Sequence, residues 1–93
     1  MDMREAETLI QTHLQGWRRR NWGELVALLD RPQCAELVGA TGVRYQVEVM
    51  VSWDGAVGGT IRVIGCIDNG GLRALAPLSR DFLLAPDGRF LRE

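Results

Sequence analysis

Few side chains in this chain have the type and spacing for chemistry. His13 is the only histidine, and it falls on or beside the apolar stripe of a helical segment. Acid–base work there would need a carboxylate such as Asp54 or Asp68 carried to it by the fold. Cys34 and Cys66 have no metal spacing, and neither follows a helix start or a base that would hold a thiolate. IDNGGLR, residues 67–73, gathers a carboxylate, an amide and two glycines. It offers too few oxygen ligands for calcium, and a phosphate loop would have to open a helix. GWRRRNW, residues 16–22, interleaves arginine with tryptophan, a combination that suits single-stranded nucleic acid. The same residues equally suit a helix C-terminus and two core stripes, and the net charge of −1 supplies no field for a polyanion. Nucleophile elbows, Walker loops and paired-carboxylate motifs are missing. No cofactor or metal is expected. The sequence points away from an enzyme without excluding one.

The chain has 93 residues, 46% hydrophobic and 25% charged, the proportions of one small folded domain spanning 1–93. A core of this size is often marginal, which makes a homo-oligomer or a protein partner an expectation. Every basic residue is arginine, so lysine Schiff-base chemistry is closed to it. Met1 leads straight into charged residues without a signal-peptide pattern, and no apolar run approaches the roughly 20 residues of a membrane span. With two cysteines and no scaffold of pairs, a cytoplasmic location is expected.

The elements follow from periodicity. Ala6, Leu9, Ile10, His13, Leu14 and Trp17 recur at helical steps and predict a helix over Met3–Arg20, capped by Asp2 with Glu5 reciprocating. Asn21 would cap a second helix, Trp22–Leu29. Pro32 would open a helical turn over Gln33–Val38, with a loop at 40–42. The period then drops to two. Residues 43–54 alternate Val43, Tyr45, Val47, Val49, Val51 and Trp53 against Arg44, Gln46, Glu48, Met50, Ser52 and Asp54, predicting a strand with one buried face. After a connection at 54–59 come strands at 60–68 and 72–79. Asn69-Gly70 predicts a two-residue type I′ hairpin between them, placing Leu72, Ala74 and Ala76 opposite Ile67, Gly65 and Val63. The small residues Gly65, Ala74 and Ala76 would let the first helix approach closely. A turn at 85–88 leaves 82–91 as either a short hairpin or one strand and a tail. The fold class is α+β, an N-terminal helical hairpin packed on an antiparallel sheet of three to four strands.

LIQTHLQGWRRRNWGELVALLD, with Trp17, Asn21, Trp22, Leu25 and Leu28, resembles the opening of nuclear transport factor 2-like, or cystatin-like, α+β domains. The resemblance implies a helix-packed sheet, often homodimeric. It also raises a reduced ligand site or enzyme pocket between the first helix and the sheet, with His13 and Tyr45 as its polar members. The residues themselves favour a different site. The outward sheet face mixes Met50, Ile64 and Leu75 with Arg62 and Arg73, an apolar and basic surface suited to a protein partner or a second copy.

Overall fold

A computed structural model describes residues 2–70 and 77–93. Two helices, α1 (Met3–Trp17) and α2 (Trp22–Val26), precede five strands: β1 (Gln33–Val38), β2 (Arg44–Trp53), β3 (Ile61–Asp68), β4 (Leu78–Leu84) and β5 (Phe90–Leu91). The strands form one antiparallel meander in chain order. The α+β class holds, with five strands rather than three to four.

Helix α1 starts where the cap predicts, the Asp2 side chain accepting from the N–H groups of Arg4 and Glu5. It ends three residues early. Beyond Trp17 the backbone tightens into Arg19 N–H to Gly16 and Arg20 N–H to Trp17 contacts, the usual way a helix end satisfies its last carbonyls. Asn21 caps α2 in a full capping box with Glu24. That helix is shorter than its stripe suggested, because Leu29 leaves to bridge Val51 and the Asp30 N–H donates to the Val51 carbonyl.

Gln33–Val38 is a strand, not a helical turn. Its Ala, Glu and Leu favour helix in isolation, but β2 has a free edge there. Pairing from Gln33↔Val49 to Val38↔Arg44 fills it. Pro32 sits just before the strand, where its missing N–H costs no ladder bond.

The second correction concerns β3. Its neighbour is β4, with Ile67 opposite Leu78, Gly65 opposite Arg80 and Val63 opposite Phe82. β2 occupies the other edge, so the register with Leu72, Ala74 and Ala76 cannot form. Those three residues lie outside the described ones. A type I′ turn needs positive φ at both central positions, and of Asn69 and Gly70 only Gly70 has it, at 77°. The Asp68 carboxylate instead accepts from the Gly70 N–H at 2.7 Å, closing the strand as an Asx turn. The chain end resolves as a hairpin, with Ala85 N–H bonded to Arg89 and Gly88 N–H to Ala85. The β1–β2 hairpin repeats this three-residue design through Gly42, whose φ of 86° matches the 91° of Gly88.

One face of the sheet carries the core. Tyr45, Val47, Val49, Val51, Ile61, Val63, Ile67, Phe82 and Leu84 pack with Ala6, Ile10, Leu14 and Trp17 of α1 and Leu25 of α2. Helix α1 lies close over Gly65, as expected of that position: an added Cβ would lie 2.8 Å from Ile10 Cδ1 and 3.2 Å from Leu14 Cδ2.

Candidate interaction face

The register defines the opposite face row by row. Met50 stands beside Ile64, with Asp81 next across β4. The neighbouring row runs Ser52, Arg62, Leu83 and Leu91. On the other side come Cys34, Glu48, Cys66 and Ser79. Among the described residues no helix crosses this face, and Met50, Arg62 and Ile64 are all half-buried by their neighbours. Arg62 lies between two carboxylates, 3.5 Å from Asp54 and 3.4 Å from Asp81. The geometry leaves its Nε buried without a hydrogen bond. Arg73 and Leu75, also expected on this face, lie outside the described residues.

The two cysteines flank Glu48 on this face and are both free. Two strand spacings separate them, about 9.6 Å, beyond the reach of a disulfide. Burial pushes the Cys66 thiol up, and the charges of Glu48 and Asp68 add to it, so Cys66 is the weaker nucleophile for its setting. Among the described residues no group of His, Cys, Asp and Glu is arranged to hold a metal ion.

The helix side looks different. His13 lines an open, mostly apolar concavity of about 370 Å³ with Leu9, Thr12, Gly16 and Leu37. Burial lowers its pKa, favouring neutral imidazole at pH 7. Its expected carboxylates are engaged elsewhere, Asp54 with Arg62 and Asp68 with Gly70. Tyr45 does not line that concavity. Its ring is fully buried, and its hydroxyl donates to Glu5 Oε1 at 2.9 Å. The same carboxylate accepts from the Thr41 hydroxyl and N–H. Glu5 thereby ties α1 to the β1–β2 turn instead of reciprocating the cap. Sequence reading missed this link. Its one signal was that a tyrosine on a buried strand face needs a partner for its hydroxyl.

The arginines of GWRRRNW are tied into the fold in part. Arg18 lies over Phe82 and Phe90 at 4.7 and 4.9 Å and pairs with Glu93. Arg20 stacks on Trp17 at 4.0 Å. Trp22 donates Nε1–H to the Gly59 carbonyl at 3.0 Å and packs against Trp53. Only Arg19 of the three arginines has neither an ion pair nor a stacking partner among the described residues.

Among the described residues no helix is long and apolar enough to cross a membrane. Set against known proteins, the chain matches no family model, no curated protein and no solved structure.

Proposed function

We propose that this is a small, non-enzymatic, cytoplasmic binding protein that takes a protein partner on the outer face of its sheet. Met50 and Ile64 form the apolar centre, and Arg62 with Asp54 and Asp81 forms a charged rim. The observation that carries the reading is the one-sided architecture. Both helices pack on one face, while the other keeps two large apolar side chains paired across β2 and β3. A desolvated apolar centre ringed by polar groups is the usual anatomy of an interface. The free thiols of Cys34 and Cys66 support a reducing compartment. A ligand site shared by His13 and Tyr45 has less support, because the Tyr45 hydroxyl is engaged by Glu5.

Replacing both Met50 and Ile64 by Glu should cut partner association tenfold or more, a loss of about 1.4 kcal/mol or greater. The far-UV spectrum should be unchanged, because both side chains are only half-buried. Affinity capture from host lysate with the native and doubly substituted proteins, side by side, checks this. Recovery of the same proteins in equal amounts would sink the proposal.

A further inference from the structure

The sheet has one long edge that nothing among the described residues covers. β1 is terminal in the strand order and pairs only with β2. Antiparallel ladders alternate hydrogen-bonded and non-bonded pairs. The Gly39 N–H donates to the Val43 carbonyl, so the bonded pairs with β2 fall on the odd residues of β1. The N–H and C=O groups of Cys34, Glu36 and Val38 therefore point outward, away from β2.

Such an edge is normally blunted by Pro, Lys, a bulge or extreme shortness. Within its six residues β1 has no Pro, Lys or bulge, its register with β2 runs without a break, and its one charge, Glu36, is already paired with Arg44. The opposite end of the sheet contrasts with it. β5 is two residues long and is flanked by Asp87, Arg89, Arg92 and Glu93.

We infer that β1 pairs antiparallel with β1 of a second copy about a two-fold axis at Glu36, joining two sheets into one. The chain's own chemistry selects this register. Cys34 falls opposite Val38 of the second copy, Glu36 opposite its counterpart, and Val38 opposite Cys34. All the outward donors and acceptors are then used at once. A shift of two residues one way sets Val38 against Pro32, which has no N–H to give. A shift the other way pushes Cys34 past the strand end.

Side chains agree with the pairing. Val38, 58% exposed, gains a neighbour. On the inner side Leu37 of each copy stands across from Ala35 of the other, extending the apolar floor beside Leu9 and His13. The two Glu36 carboxylates meet near the axis, but each already accepts from Arg44 Nη1 at 2.8 Å and Gln46 Nε2 at 3.2 Å. Arg44 is well exposed, so the axis carries two acids and two arginines, not a bare like-charge pair. A self-complementary patch of this kind closes as a dimer and does not propagate. The inference is independent of the partner on the outer face, which the dimer would present twice.

Light scattering during size exclusion should give about twice the 10.4 kDa chain mass. Glu36→Pro removes an N–H that β2 does not use, so it should yield a monomer with an unchanged far-UV spectrum. A Cys34→Lys/Val38→Lys double variant, which sets lysines opposite each other, should do the same. Val38→Cys should become a covalent dimer with oxidised glutathione as the oxidant, because position 38 faces Cys34 of the second copy. The native chain should not cross-link. A native monomer at every concentration overturns the inference. So does a dimer that survives both edge variants, or a Val38→Cys dimer that will not cross-link. The Met50/Ile64 face variant should stay dimeric, which separates this failure from failure of the outer-face reading.

Discussion

Gly65→Val should lower the melting temperature by roughly 8–16 °C. Gly65 is central in β3, and α1 lies directly upon it. Even a bare Cβ would come within 2.8 Å of Ile10 Cδ1, and valine adds two methyl groups beyond that. Ile10 is fully buried among core neighbours, so it cannot swing into solvent. The strand cannot drop away either, since Val49 and Arg80 pair with Gly65 from both sides. Overpacking of this kind costs up to about 3 kcal/mol. Valine's better strand propensity returns at most about 1 kcal/mol, leaving a net loss of about 2 kcal/mol. Alanine needs only a small shift of the Ile10 tip and should stay within about 1 kcal/mol of the native protein. Thermal unfolding of the two variants checks the grading. A valine variant as stable as the native chain would mean that α1 does not rest on this glycine.

The same contact shows why some of the fold was legible and some was not. β2 and β3 bury one face only, so Tyr45 to Val51 and Ile61 to Ile67 alternate cleanly, and Met50, Arg62 and Ile64 could be placed on the outer face from sequence alone. β4 hides its period, because Phe82, Leu83 and Leu84 are buried in succession, with Leu83 held on the outer side between Arg62 and Leu91. Its neighbour in sequence, LRALAPLS, alternates better and carries a strong local turn signal in Asn69-Gly70. Local turn preference was outweighed by burial. Pairing β3 with β4 puts Phe82 into the core opposite Val63, where the other register would have offered Ala76, and a fully buried large side chain contributes about 1.5–3 kcal/mol. For Gln33–Val38 the deciding fact was the open edge of β2, which has no trace in those six residues. The Glu5–Thr41–Tyr45 link spans distant positions and left no periodic mark. Arg73 and Leu75 were placed on the outer face by the same alternation, and they lie outside the described residues.

Tyr45, the only tyrosine, should titrate near pH 12 in the folded protein and near 10 once unfolded. Burial of the ring is the main cause, followed by the hydrogen bond to Glu5 and then the charges of Glu5 and Asp2. Each of these disfavours the phenolate. Because the folded state holds this proton more tightly, its contribution to stability is complete below pH 10. It is lost as the pH rises from 10 towards 12, where the unfolded chain has already released the proton. Phenolate absorbance, followed in native and denaturing buffer, gives both midpoints without interference from another tyrosine. Glu5→Ala should move the native midpoint down while leaving it above 10, since burial remains. It should also cost about 1–3 kcal/mol at neutral pH, because the Tyr45 hydroxyl and the Thr41 N–H lose their common acceptor. Tyr45→Phe should be far milder, as it removes the donor along with its need, and Thr41 still serves Glu5. That asymmetry separates a helix-to-turn tie from simple packing of the ring. Were Tyr45 to titrate near 10 in the folded protein, or Glu5→Ala to leave stability unchanged, the carboxylate would not be fastening α1 to the β1–β2 turn.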